Sequence, residues 1–149
     1  MKDALHHIDT SIILEDKTNE DGFYCKKYLD LVGYKYKGVL SLPILSELML
    51  KLLNLKELTE KYDFIESLNS LIKNKKIGII GINATEYIVI DIKEKYPQIT
   101  PNDRLIIATT IAYNIKTLVT LDNKLLRNKQ ILEEFDIKIV HPKYFFKIK

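Results

Sequence analysis

Hydrophobic positions along the chain fall into short uncharged runs separated by longer stretches in which apolar residues recur every three or four positions. Leu5 to Ile8 and Val39 to Leu42 are runs of the first kind, ending at Asp9 and just before Pro43, and both predict short buried strands. After Pro43 the apolar residues Ile44, Leu48, Leu52 and Leu55 repeat at helical spacing, with Leu45, Met49 and Leu53 beside them, so a helix follows the second strand directly. Tyr62, Ile65, Leu68 and Ile72 predict a second amphipathic helix over 58–73, and Ile77 to Ile82 a third strand. Residues 83–96 fit both periods, and the spacing of Ile88, Ile92 and Tyr96 favours a helix. Thr100-Pro101-Asn102-Asp103 joins a cap, a first-turn proline and an acid three residues after the threonine, predicting a helix to about Asn114. Thr117 to Leu121 and Ile137 to Val140 are the last strands, the former closing in a turn at Asp122-Asn123.

Strands without charge are buried on both faces and need helices on both sides, so the alternation predicts an α/β three-layer sandwich around a parallel sheet. No repeat, low-complexity tract or Pro/Gly/Ser-rich linker divides the 149 residues, and one domain spanning 1–149 is expected. With 46% hydrophobic and 29% charged residues, the chain can bury a sizeable core, which excludes a disordered protein. No apolar run approaches the roughly 18 to 20 residues of a membrane span, and Met1-Lys2-Asp3 does not open a signal peptide. A cytoplasmic protein without membrane contact is expected. Cys25, the single cysteine, excludes an intramolecular disulfide and any multi-cysteine zinc site. The net charge of +3 is too small to establish nucleic-acid binding, but the basic excess lies after residue 116 and hints at an anionic partner.

The sequence removes several chemistries. Gly78-Ile79-Ile80-Gly81 lacks the spacing of a dinucleotide fingerprint, and there is neither a Gly-Lys-Ser/Thr loop nor a Gly-x-Ser-x-Gly elbow. A receiver domain would show paired acids after the first strand, where Asp9 is followed by Thr10 and Ser11. Four acids remain that share a location: Asp9 ends the first strand, Glu47 lies one turn into the helix after the second, Asp103 opens a helix, and Asp122 ends the fourth strand. In a doubly wound sheet those places face one crevice. Converging carboxylates raise one another's pKa unless a cation joins them, and an all-oxygen donor set suits Mg²⁺ or Mn²⁺. Singly, Asp9 and Asp103 also read as helix-start acids, Asp122 as a turn residue and Glu47 as a solvated helix position, although its helix is otherwise almost wholly apolar.

The segments Ile8-Asp9-Thr10-Ser11-Ile12, Leu42 to Glu47, Asn102 to Thr109 and Leu118 to Asp122 resemble, in order and similar spacing, the four acidic motifs of PIN-domain nucleases, over about residues 4 to 141. The resemblance implies a PIN-like fold with a central five-stranded parallel sheet. It also implies a metal site of Asp9, Glu47, Asp103 and Asp122, and hydrolytic cleavage of single-stranded RNA without a covalent intermediate. Small stand-alone members resemble VapC toxins, which implies an antitoxin partner and a homodimer. The alternatives are an RNA-processing or quality-control PIN nuclease without an antitoxin, and a PIN-like module that binds RNA or protein without cleaving. Two departures are Arg104, where small residues are usual, and the long segment Asp16 to Lys37. Arg104 is expected, in the binding-module reading, to replace part of the metal's charge.

Around the acids, Thr10, Ser11 and Thr120 are expected to hydrogen-bond the carboxylates, with a β-branched strand residue as the plainer reading of Thr120. Lys124, Arg127 and Lys129 are candidates for the RNA backbone, with a solvated surface charge run as the plainer reading. His6 and His7, adjacent in a strand, must point to opposite faces and are expected to be structural, while His141 shows no partner in the sequence. Tyr24, Tyr28, Tyr34 and Tyr36 read as a base-stacking platform, as packing, or as a protein interface.

Overall fold

The computed structural model describes residues 4–82 and 85–147. Its strands β1 (Ala4–Ile8), β2 (Tyr36–Ser41), β3 (Gly78–Ile80), β4 (Thr117–Val119) and β5 (Lys138–Val140) form one sheet in the order β3-β2-β1-β4-β5. Every pairing is parallel; His7 lies opposite Val39 of β2, and Ile8 opposite Val119 of β4. The connecting helices are α1 (Thr10–Leu14), α2 (Glu20–Leu31), α3 (Leu42–Asn54), α4 (Leu58–Asn74), α5 (Glu86–Lys95), α6 (Pro101–Ala112), α7 (Asn123–Leu126) and α8 (Lys129–Phe135), with a 3₁₀ turn at Pro142–Phe146. The expected five-stranded parallel α/β sandwich is therefore present.

Strand limits differ from the periodicity. β2 begins at Tyr36 and ends at Ser41, so Leu42 opens α3, and β3 and β4 are three residues each. The ambiguous stretch is helical over Glu86–Lys95, and Asn83 and Ala84 lie outside the described residues. α7, α8 and the 3₁₀ turn were not expected from the apolar spacing, because they are too short to show a period.

Neighbouring side chains on β1 separate the two helical layers. His6 stacks with Tyr28 of α2, Tyr36 and Phe145 of the 3₁₀ turn, whereas His7 reaches Thr110 of α6. Ile8, Leu40 and Leu118 of the sheet and Ile44, Leu48, Ile106 and Ile107 of α3 and α6 are fully buried between them. The turn from α2 into β2 needs Gly33, whose φ is +85° and where a Cβ would lie 2.5 Å from the Lys75 carbonyl oxygen. Not all apolar surface is covered: Leu50, Leu53, Leu58 and Tyr62 on α3 and α4 are 61–69% exposed. No helix among the described residues is long and apolar enough to cross a membrane.

Candidate functional site

The chain leaves β1 toward β2 and β3 on one side and returns to β4 and β5 on the other, so the strand order reverses at the carboxyl ends of β1 and β4. That reversal opens a crevice in a parallel sheet. Asp9 sits there, its N–H continuing the ladder to the Val119 carbonyl at 3.0 Å. Although Asp9 occupies the N-cap position of α1, its side chain makes no cap bond. Its Oδ2 accepts instead from the hydroxyls of Ser11 (2.8 Å) and Thr120 (2.7 Å). Ser11 Oγ also accepts the Leu121 N–H at 3.0 Å, and Thr120 Oγ1 the Asp122 N–H at 3.0 Å, so the ends of β1 and β4 are joined through hydroxyls. The Thr10 hydroxyl donates to Glu47 Oε2 at 2.5 Å. Thr10, Ser11 and Thr120 each donate to one of the acids.

Asp103 and Asp122 are set by the helices they begin. Thr100 Oγ1 caps α6 by accepting the Asp103 N–H at 3.3 Å, and Asp122 Oδ1 caps α7 by accepting the Lys124 N–H at 2.9 Å. Thr100 is thus the α6 cap read from the sequence, while Asp122, read there as a turn residue, is the α7 cap. Glu47 is half-buried, not solvated. Burial first, then the charges of Asp9, Asp103 and Asp122, raise its pKa against the opposing Thr10 hydrogen bond. Asp103 is likewise raised, chiefly by burial and further by Asp122 and Asp9, while Thr100 and Lys124 pull it down. Charge from the other acids therefore reaches both Glu47 and Asp103, and among the described residues none of the four forms an ion pair with a basic side chain.

An oxygen donor set carrying excess negative charge fits a hard divalent ion. No three of the acidic, cysteine or histidine side chains among the described residues stand close enough to enclose an ion unaided. The arrangement suits an ion that keeps most of its waters and takes one or two carboxylates, which is the habit of Mg²⁺.

Beside Asp103 a cleft of about 370 Å³ opens, with Lys124 and Arg127 on its wall. Two of the three candidate backbone-binding cations thus border the acidic crevice; the Lys129 side chain lies outside those described. Arg104 donates from Nε to the Ile99 carbonyl at 2.9 Å and, among the described residues, forms no ion pair with an acid.

The histidines lie away from the carboxylates. His6 Nδ1 hydrogen-bonds the Tyr28 hydroxyl at 2.8 Å. The Thr110 hydroxyl gives its proton to the Ile106 carbonyl (2.8 Å), so His7 Nδ1–H donates to Thr110 (2.7 Å) and Nε2 accepts from Ser41 (2.8 Å). Burial pushes both imidazoles down to about 4. His141, which had no partner in the sequence, bonds Asp21 Oδ1 through Nε2 at 2.9 Å. Tyr28 and Tyr36 pack with His6 and Phe145, Tyr24 packs against Phe23 and Phe146, and Tyr34 is 84% exposed. Residues overlooked in the sequence are Gln98 and Asn128 on the cleft wall, which no spacing or motif singles out.

The same fold recurs in several solved structures. VapBC2 from Rickettsia felis, bound to a DNA fragment from its promoter, is 22% identical over 92% of this chain and 98% of that one, with a TM-score of 0.71. FitAcB from Neisseria gonorrhoeae is 21% identical over 92% and 97%, with a TM-score of 0.68. VapBC-5 from Mycobacterium tuberculosis, a member of the VapBC family of toxin-antitoxin systems, is 14% identical over 93% and 98%, with a TM-score of 0.65. No curated protein matches the sequence. The PIN domain model matches residues 7–131, a span that takes in all four acids and the β1–β4 crevice, and the chain belongs to the PIN-domain family.

Proposed function

We propose that this chain is a Mg²⁺- or Mn²⁺-dependent endoribonuclease that hydrolyses phosphodiester bonds of single-stranded RNA and serves as the toxin of a toxin–antitoxin pair. The observation that carries the reading is the meeting of Asp9, Glu47, Asp103 and Asp122 at one crevice without a basic partner among the described residues, beside unpaired Lys124 and Arg127. One or two of these acids would hold the ion directly and the others would reach it through its waters. When bound, it would supply charge stabilisation to the phosphate and lower the pKa of a water. The chain's own part is positional. Ser11 and Thr120 hold Asp9, Thr10 holds Glu47, and Lys124 and Arg127 neutralise phosphates on the strand entering the cleft.

The toxin assignment draws on the similar structures, which are of VapBC assemblies. It also draws on the exposed apolar residues of α3 and α4, since uncovered patches of this kind mark protein contact. An antitoxin and a second copy of this chain are the partners we assign, in the cytoplasm. The competing reading is a PIN-like module that binds without cleaving, favoured by the lack of three closely grouped ligands among the described residues.

Labelled single-stranded RNA incubated with the protein and Mn²⁺, Mg²⁺ or EDTA, alongside Asp9→Asn, separates the two. Cleavage that needs the ion and disappears in Asp9→Asn, with RNA binding retained, is the expected result. RNA that is bound but left intact with either ion would replace the nuclease reading with the binding module.

A further inference from the structure

The cleft beside Asp103 has a composition that backbone binding alone does not require. We infer that it is a nucleobase subsite, seating the base of a nucleotide adjacent to the cleaved phosphate; this rests on the nuclease reading for its place in the reaction. Its volume of about 370 Å³ is in the range of small-molecule sites, roughly 300 to 1,000 Å³. Asp103 belongs both to the acidic crevice and to the cleft wall, so a nucleotide whose phosphate lies at the acids has the cleft within reach of its base.

The lining divides by chemistry. Ile99 and Leu125, 6% and 2% exposed, close the bottom of the cleft with apolar side chains. Gln98 and Asn128 each carry an amide with both donor and acceptor, the combination that reads a base edge. Lys124 and Arg127 supply charge for flanking phosphates, and the Arg127 guanidinium offers a plane on which a base can also stack.

Both walls are held by bonds that leave these groups free. Thr100 caps α6 and Arg104 Nε is tied to the Ile99 carbonyl, which fixes the wall that carries Gln98. Asp122 caps α7, which fixes the wall that carries Lys124 and Leu125. Asn128 occupies the N-cap position of α8, yet its side chain makes no cap bond, although asparagine is among the favoured capping residues. Among the described residues no hydrogen bond or ion pair engages the side chains of Gln98, Lys124, Arg127 or Asn128. An amide at a capping position that caps nothing, next to a second free amide and above an apolar floor, is a recognition surface without an internal partner.

The test has two arms on the full-length protein. In the first, isotope-labelled protein with Mg²⁺ is titrated with AMP, CMP, GMP and UMP, and with ribose 5-phosphate as a probe lacking the base, while the side-chain amide resonances of Gln98 and Asn128 are followed. At least one nucleotide should shift both amides saturably, ribose 5-phosphate should not, and Gln98→Ala with Asn128→Ala should weaken that nucleotide's binding severalfold. In the second, single-stranded RNA randomised around the cut site is digested by the parent and by the double variant. The ratio of favoured to disfavoured base at one position beside the cut should fall by about tenfold, the scale of one lost bidentate base contact, whatever happens to the overall rate. If the parent cuts RNA and the variant keeps the same base preference, or if no nucleotide moves the amides, the subsite is overturned while the nuclease reading stands. Nucleotides that move the amides of a protein that never cuts RNA would support the subsite and remove the nuclease reading.

Discussion

The Thr120 hydroxyl donates to the Asp9 carboxylate at 2.7 Å, joining residues 111 positions apart. The same oxygen accepts the Asp122 N–H at 3.0 Å, so one side chain sets the position of one acid and the backbone of another. Thr120 is fully buried, and neither bond can be replaced by water from bulk. Thr120→Val keeps the shape and removes both bonds. Cleavage and the affinity for Mn²⁺, read as the midpoint of a thermal-shift titration, should fall by roughly 10 to 100-fold, and stability by about 1 to 3 kcal/mol. Thr120→Ser should restore most of the loss. A valine variant with parental metal affinity would show that the hydroxyl organises nothing.

The raised pKa values of Glu47 and Asp103 predict how stability varies with pH in EDTA. A carboxyl whose folded pKa is raised binds its proton more tightly folded than unfolded, so its contribution is most favourable in acid. That contribution is lost as pH rises from the ordinary carboxylate range through the raised folded values. Glu47→Gln should therefore be more stable than the parent at pH 7 without metal, and the advantage should vanish as both are acidified. Mg²⁺ should stabilise the parent by about 2.7 kcal/mol at 100 times its Kd, and Glu47→Gln by clearly less. Denaturant melts of the two proteins with and without Mg²⁺ read all three effects, and a variant less stable at neutral pH in EDTA would contradict the account.

Histidine linkage runs in the opposite direction. Burial lowers His6 and His7 from 6.5 to about 4, so the folded state resists their protonation. Their contribution is whole above the unfolded pKa and is lost as pH falls toward 4, by roughly 3 kcal/mol for each imidazole. Heteronuclear spectra should show both rings neutral at pH 5.5, with His7 carrying its proton on Nδ1. Titration of either ring near 6.5 in the folded protein would refute the buried, bonded geometry.

Cys25 is fully buried, and burial raises its thiol to about 11. At pH 8 so little thiolate is present that alkylation of the folded protein should be at least about a hundredfold slower than in denaturant. Rapid labelling of the native protein by iodoacetamide would place Cys25 at the surface.

The strands and the helices α3 to α6 were legible because their signals are local. An uncharged run such as Leu5 to Ile8 has to be buried on both faces, and the three-to-four spacing from Ile44 onward suits one helical face. The Thr100 cap was legible for the same reason, and its bond to the Asp103 N–H is present. These local signals also placed Asp9, Glu47, Asp103 and Asp122 at strand and helix ends, which is as far as a one-dimensional pattern reaches.

What the tertiary structure alone decided are pairings between residues far apart in the chain. The sheet order set β1 between β2 and β4, which put Thr120 against Asp9 and His7 between Ser41 and Thr110. It also gave His141 the partner Asp21, 120 positions away, and turned Tyr28 and Tyr36 inward against His6. Gln98, just before α6, and Asn128, just after α7, came to share a cleft only through the tertiary fold. Local propensity depends on a few neighbouring dihedral angles and side chains, whereas these contacts depend on which strands pair, a choice made by burial of the whole sheet.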